Sequence, residues 1–313
     1  MTRSVTDMVS SKGGKVAGDK QGPAFTHVAP RSMPLPVLIA VPHAGRVYPG
    51  DTLADMRDPD LCQLRLEDRH ADRLGVEVAK QTGTGLLVAH APRAMLDLNR
   101  AQDDIDWDMI AGSRRRGPSH SAANRRARSG LGLVPRRLPG FGEIWRQKLP
   151  QSELEARIEN IHRPYHGFLA QELERIRDAW GAALLVDLHS MPPLRAQGEQ
   201  SRAPQIVIGD RFGASCHSRL VARAFRCLDE HRLPVAHNRP YSGGYVLDRH
   251  SDPRRGLHAV QIEVCRSAYL DNRLSEPGEG LLPLAALLSD LVRELGVETA
   301  RLGAGDDLAQ AAE

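Results

Sequence analysis

Runs of strand length in which nearly every residue is apolar recur along the chain, and stretches with apolar residues three or four apart lie between them. PVLIAV (36–41), GLLVAHAP (85–92), AALLVDL (182–188), PQIVIGD (204–210) and GLHAVQIEV (256–264) read as buried strands, and AMLDLN (94–99) as a further short one. LCQLRLEDRHADRLGVEVAKQTG (61–83) spaces Leu61, Leu64, Leu66, Leu74, Val76 and Val78 as a helix does, and Gly83 suits its end. SELEARIENIHRPYHGFLAQELERIRDAWG (152–181) predicts a long helix interrupted near Pro164. SRLVARAFRCLDEH (218–231) and LLPLAALLSDLVREL (281–295) predict two more. Strands that alternate with helices and are apolar on both faces predict an α/β fold: a central mixed sheet, mostly parallel, covered by helices on both sides. Residues 1–33 are polar, Gly-rich and aperiodic, and are expected to be a disordered tail. Residues 34–298 are expected to form one domain with an Arg-rich loop at 110–142, and 299–313 a second tail. No internal repeat is visible, and neither GxGxxG nor GxxxxGK[ST] occurs after a strand.

Composition narrows the class. With 313 residues and 41% apolar content the chain can bury a full core. No apolar run reaches the about 20 residues that cross a bilayer, and the first twenty lack the apolar stretch of a secretory signal, so a cytoplasmic protein is expected. Cys62, Cys216, Cys227 and Cys265 have no CxxC spacing, which argues against a disulfide framework and a cysteine zinc site. The net charge of +3 is uneven: residues 113–137 hold eight arginines and no acid, and without them the remainder carries −5. Such a segment either grips a polyanion or is a solvated loop. The lack of interleaved aromatics favours the loop and makes nucleic acid an unfavoured partner.

Candidate chemistry sits where strands end. PVLIAV runs into His43, AALLVDL into His189, and GLHAVQIEV carries Glu263 near its end. In open α/β sheets ligands bind outside the carboxyl ends of the strands, so two imidazoles and a carboxylate can converge there. Two histidines and a carboxylate suit zinc, which leaves a position for water and eases its loss of a proton. Strand alternation places Ala259, Gln261 and Glu263 on one face, with Glu263 placed to act as a proton acceptor; the competing reading is a salt bridge to Arg266. Arg93, Asn99 and Arg100 supply groups that hold a carboxylate or a developing oxyanion, unless Arg100 merely pairs with Asp97 or Asp103 at the surface. Asp187 either orients an imidazole or caps its strand. His162 and His166 have the i, i+4 spacing of helical metal ligands, but Pro164 between them and the lack of HExxH favour packing against the site.

VPHAGRVYP, EDRHADRL, PRAMLDLNRA, VDLHSMPP, VIGDRFGASC, NRPYSGGYV and HAVQIEVCRSAYLD, in this order, resemble the N-formylglutamate amidohydrolase family over about residues 36–295. The resemblance implies a three-layer fold like that of the zinc carboxypeptidases and aspartoacylases. It also implies hydrolysis of a small N-acyl amino acid, with N-formyl-L-glutamate giving formate and L-glutamate at the end of a histidine-degradation route. It implies a Zn2+ or other divalent cation held by His43, His189 and Asp68, with Glu67 as the alternative to Asp68. Arg46 stands where zinc carboxypeptidases carry their acidic ligand. By the same resemblance Glu263 is the general base, Arg93 polarises the scissile carbonyl, and Asn99 and Arg100 hold the substrate α-carboxylate. It also implies that Tyr241, Gly243 and Gly244 form the pocket lip, with Tyr241 equally readable as a packed loop aromatic. The alternatives are a hydrolase of another N-acyl amino acid or peptide-like amide, and a non-catalytic anion-binding relative; oligomeric state is not readable.

Overall fold

The structure, a computed structural model, describes residues 8–18, 22–112, 125–196 and 202–310. Its centre is a sheet of eight strands: β1 (Met8–Gly13), β2 (Phe25–Pro30), β3 (Val37–Val41), β4 (Gly85–Ala89), β5 (Ala183–Met191), β6 (Ile206–Gly209), β7 (Val235–His237) and β8 (Leu257–Cys265). They lie in the order β1-β2-β4-β3-β5-β8-β6-β7. The middle four, β4-β3-β5-β8, are parallel, as is the β6–β7 pair; β1–β2, β2–β4 and β8–β6 are antiparallel.

Every residue of β3, β5 and β8 is buried because both faces of the sheet are covered. On one face Leu38, Ala40, Ala183, Leu185, Leu257 and Ala259 pack against Tyr165, Leu169, Leu173 and Ile176 of α4 (Arg163–Trp180). On the other, Ile39, Leu184, Val186, Val260 and Ile262 meet α2 (Ala71–Thr82), α5 (Ser218–Glu230) and α7 (Leu281–Gln310). The fold is a three-layer α/β/α sandwich on a mixed sheet. β5 and β8 pair in register, Gln261 opposite Asp187 and Glu263 opposite His189. The odd-numbered positions of both strands therefore share the α4 face, and both change from apolar to polar at the same level. That shared change is where the site lies.

Several local expectations fail for identifiable reasons. Residues 8–13 and 25–30, expected to lie in a disordered tail, are strands. β2 pairs with β4 and buries Phe25, His27 and Ala29 on alternate positions, a pattern too short to stand out from its polar flanks. AMLDLN is not a strand but a series of turns, with Leu96 and Leu98 buried beneath it. The helix expected over 61–83 is two, α1 (Pro59–Leu66) and α2, separated at Glu67–His70, where His70 takes a left-handed φ of 59°. α7 runs on into the expected C-terminal tail, and at Gly303 its backbone lies so close to Trp180 and Gly181 that a Cβ would stand 2.2 Å from the Trp180 carbonyl oxygen. The four cysteines are buried and free. Of the eight arginines at 113–137, Arg114, Arg115 and Arg116 lie outside the described residues. Arg136 and Arg137 are paired within the chain, to Asp106 (2.7 Å) and Glu143 (2.6 Å) respectively. Among the described residues no helix is long and apolar enough to cross a membrane.

The interruption near Pro164 takes a specific form. α3 (Gln151–Arg157) passes into α4 through a π turn at Ile158–His162, in which the Arg163 N–H reaches back to the Ile158 carbonyl. Proline has no N–H to give the carbonyl of Asn160, and that oxygen instead accepts from the backbone N–H of Lys15 at 2.8 Å.

Candidate active site

His43 follows β3, His189 lies near the end of β5, and Asp68 occupies the break between α1 and α2. The Asp68 N–H donates to the His43 carbonyl at 2.9 Å, which is how the interruption of the helix delivers a carboxylate to the sheet. Both Nδ1 atoms face Asp68 Oδ2, at 3.6 Å from His43 and 3.0 Å from His189. One ligand atom from each residue lies within 4.8 Å of the other two, and all three side chains are buried. Each histidine turns its other nitrogen to a carboxylate: His43 Nε2 donates to Asp97 Oδ1 at 2.7 Å, and His189 Nε2 to Asp187 Oδ2 at 2.9 Å. Glu67, the alternative acid, pairs instead with Arg69 at 3.3 Å and is not in the group. Arg46 faces Asp72 at 2.9 Å.

The donor set fits a divalent cation. His43 Nδ1 is buried with no hydrogen-bond partner, an expensive condition unless something else takes its lone pair. Burial opposes charge on Asp68, but His189 and His43 outweigh it and hold its pKa well below the usual carboxylate range. Burial likewise opposes charge on His189, and Asp187 and Asp68 outweigh it and hold that pKa well above the ordinary value. A cation among these three atoms would take the place of the proton that Asp68 and His189 share, the usual exchange when a metal binds imidazole. The carboxylates behind each ring are the partners that fix tautomers in such sites.

Glu263 lies beside His189 in the strand register, and burial, with Asp68 adding to it, pushes its pKa up to about 7. A carboxyl so poised can take up and release a proton near neutrality. Its Oε1 accepts from Gln261 Nε2 at 2.9 Å, and Gln261 Oε1 accepts from Asn99 Nδ2 at 3.4 Å. Asn99 Oδ1 accepts from the Val246 N–H of α6 (Tyr245–His250) at 3.0 Å. Arg93 donates through Nε to Asp97 Oδ2 at 2.9 Å. Arg100 does approach Asp97, with Nε 3.9 Å from Oδ2, but in the interior and not at the surface, and it donates to the Leu131 carbonyl at 2.9 Å and that of Asn99 at 2.7 Å. The half-buried Tyr241 has its phenol pKa raised by burial and by Glu263.

Gly243 and Gly244 are close-approach positions. A Cβ on Gly244 would stand 2.6 Å from Asn99 Oδ1, and one on Gly243, where φ is +93°, 2.4 Å from Leu247 Cδ2. Arg266 does not pair with Glu263. It turns to the other side of the strand, where it donates to the Glu67 carbonyl (2.6 Å) and Ser190 Oγ (3.2 Å) and stands 3.5 Å from Asp68 Oδ1. Asp97, Gln261 and Arg266 are thus residues of the site to which the sequence reading gave no role there. Gly45, two residues after His43, is a further close-approach position, since a Cβ there would meet the Ala91 carbonyl at 2.2 Å.

Residues 35–270 match the model of the N-formylglutamate amidohydrolase family. The chain is 30% identical over 240 residues to an N-formylglutamate deformylase of Pseudomonas putida, covering 76% of this chain and 82% of that protein. It is 30% identical over 268 residues to an N-formylglutamate deformylase of Pseudomonas aeruginosa, covering 83% and 91%. The crystal structure of N-formylglutamate amidohydrolase from Ralstonia eutropha JMP134 superposes with a TM-score of 0.73 at 32% identity, covering 90% of this chain and 97% of that one. A sequence match spanning the strand ends at 43, 189 and 263, and a fold shared over nearly the whole length, make this chain a member of the N-formylglutamate amidohydrolase family.

Proposed function

We propose that the protein is a metal-dependent amidohydrolase that cleaves an N-acyl amino acid, with N-formyl-L-glutamate as its substrate and formate and L-glutamate as products. The observation that carries this reading is the buried, partnerless Nδ1 of His43, facing Asp68 and His189 on the sheet face that also presents Glu263. The names of the relatives agree with it, and a place in histidine degradation would follow from that substrate.

In this reading His43, Asp68 and His189 hold a divalent cation, most simply zinc given two nitrogen ligands and one oxygen ligand. The cation, when bound, supplies Lewis acidity and eases the loss of a proton from water. Asn99 and Arg100 hold the substrate α-carboxylate: Asn99 Nδ2 has a second hydrogen to give, and the Arg100 guanidinium supplies positive charge. Arg93, steadied by Asp97, donates to the acyl oxygen as negative charge develops on it. Glu263 accepts a proton from the attacking water and returns it to the amine nitrogen as the C–N bond breaks. Gln261 holds one oxygen of Glu263 and leaves the other for that transfer. Tyr241, Gly243 and Gly244 border the pocket, the glycines letting the backbone come close to the ligand.

The test is a panel of N-formyl and N-acetyl amino acids assayed with zinc-loaded protein and a chelated control. Formate release from N-formyl-L-glutamate, abolished by chelation and restored by zinc, is the expected result. Faster turnover of another panel member would reassign the substrate. Zinc-independent turnover would remove the metal, and failure on the whole panel would favour a non-catalytic anion binder.

A second expectation concerns the lip. Gly244 has an extended backbone, so alanine there brings no backbone strain, only the clash with Asn99. Overpacking of this kind costs about 1–3 kcal/mol, equivalent to about 5- to 150-fold if it appears wholly in binding. Gly244→Ala is therefore expected to raise KM for N-formyl-L-glutamate while leaving metal content unchanged, as steady-state kinetics and metal analysis would read.

A further inference from the structure

The histidines on α3–α4 that resemble metal ligands by spacing have a different use. His166 Nε2 lies 3.0 Å from the Leu98 carbonyl oxygen and His162 Nε2 2.9 Å from that of Arg100. A carbonyl only accepts, so both nitrogens carry hydrogens. Burial, with His162 and His250 beside it, drives the His166 pKa well below the ordinary value, so its Nδ1 is a bare acceptor. His250 Nε2, 2.9 Å from that atom, must be the donor, and the two rings stack with centroids 5.2 Å apart. These bonds fix all three tautomers, and no Nε2 of the cluster is left for a metal.

We propose that His162 and His166, backed by His250, are positioning residues that set the Leu98–Arg100 loop and so the placement of Asn99 and Arg100 on the substrate carboxylate. The catalytic meaning of that placement rests on the function proposed above; the claim about the loop does not. The two carbonyls they hold flank Asn99. Both rings also touch Tyr245, at 5.7 Å from His162 and 5.2 Å from His166, and the adjacent Val246 N–H binds Asn99 Oδ1. Asn99 is thereby gripped along its backbone from one side and through its carboxamide from the other. His162 reaches its carbonyl from inside the π turn, whose released Asn160 carbonyl is taken up by Lys15, so the N-terminal segment braces the same turn. Leucine or phenylalanine would fill this buried volume without the cost of interring imidazole nitrogens. Here the nitrogens hold peptide groups of a loop that has no strand or helix to hold it.

The experiment compares His162→Phe and His166→Leu, which keep bulk and lose the donor, with His162→Gln and His166→Gln, whose amide nitrogen reaches where Nε2 was. Amide hydrogen exchange at residues 97–100 reads the loop directly, and kcat and KM for N-formyl-L-glutamate read its consequence. Loss of one buried hydrogen bond is worth about 1 kcal/mol, or about fivefold. Exchange at 97–100 should quicken and KM rise by that factor in the Phe and Leu variants, with kcat changed less, and glutamine should restore both. Unchanged exchange in the Phe and Leu variants, or glutamine behaving as they do, overturns the inference. If those two do not fold, His250→Met, one bond further from the loop, is read instead: a smaller quickening supports the inference and none overturns it. A wild type that hydrolyses nothing in the panel refutes the functional reading alone, and exchange still decides the loop.

Discussion

Replacing Glu263 by glutamine is expected to lower kcat by about 100- to 10,000-fold, the usual contribution of a positioned general base, while the metal stays bound. The two effects separate because Glu263 is not one of the three residues grouped for the cation, and its hydrogen bond is to Gln261 Nε2. A glutamine oxygen can accept that bond in the same place, so the variant keeps the shape of the site and loses only the ability to take a proton. Stability should hold or rise. Burial lifts the carboxyl to about 7, so the folded state disfavours its ionised form. That cost begins above the ordinary value of 4.5 and is complete above about 7, and the neutral amide never meets it. Steady-state kinetics, metal analysis and a melting curve at pH 8 test the three statements. Turnover within tenfold of wild type would remove Glu263 from the proton transfer, and loss of the metal would mean that the carboxylate belongs to the ligand set.

What could be read beforehand follows from which patterns carry information at short range. The strand ends were legible because period-two alternation assigns a face to each residue. Ala259, Gln261 and Glu263 had to lie together, and an acid at the end of such a run is costly enough to demand a reason. What alternation cannot supply is the neighbouring strand: that Glu263 sits opposite His189 depends on the order β3-β5-β8, a pairing between segments far apart in the chain. Alternation also misled. LDLN has the strand period, yet its backbone turns, with Leu96 and Leu98 held in the core by their own burial while Asp97 and Asn99 point into the site. Read as a strand edge, LDLN puts Asp97 at the surface with Arg100, whereas the two approach at 3.9 Å in the interior. The split between α1 and α2 was hidden for the opposite reason. Leu66 and Leu74 keep helical phase across a gap that is not helical, and the bonds that hold it open, from the Asp68 N–H to the His43 carbonyl, from Arg266 to the Glu67 carbonyl and from the Tyr269 hydroxyl to the Arg69 carbonyl, all join distant segments. Arg266 follows a strand whose end could not be fixed within a residue or two, so the side to which it turns was undetermined.

Asp97, which alternation alone would place at the surface, should be nearly as sensitive as the cation-facing residues themselves. It is 1% exposed, and both its oxygens are engaged: Oδ1 accepts from His43 Nε2 at 2.7 Å and the Asn99 N–H at 2.8 Å, and Oδ2 from Arg93 Nε at 2.9 Å. Burial works against its charge, but Arg93 and His43 outweigh it and hold its pKa well below the usual carboxylate range. Asparagine has one oxygen where aspartate has two, so its NH2 must face either His43 or Arg93, and each presents an N–H. If it faces Arg93, the guanidinium loses its anchor and its counter-charge in a buried setting. If it faces His43, the imidazole can recover a bond only by moving its hydrogen to Nδ1, which closes the nitrogen that faces Asp68. Loss of such a carboxylate behind a ligand histidine typically costs about 10- to 100-fold in metal affinity. Asp97→Asn is therefore expected to weaken zinc by that factor in competition with a chelating dye, and to lower kcat/KM further than zinc loss alone explains. Raising free zinc separates the outcomes. Activity restored in full would mean that Asp97 serves only His43, partial recovery that it serves Arg93 as well, and zinc affinity within twofold of wild type would refute its hold on the histidine.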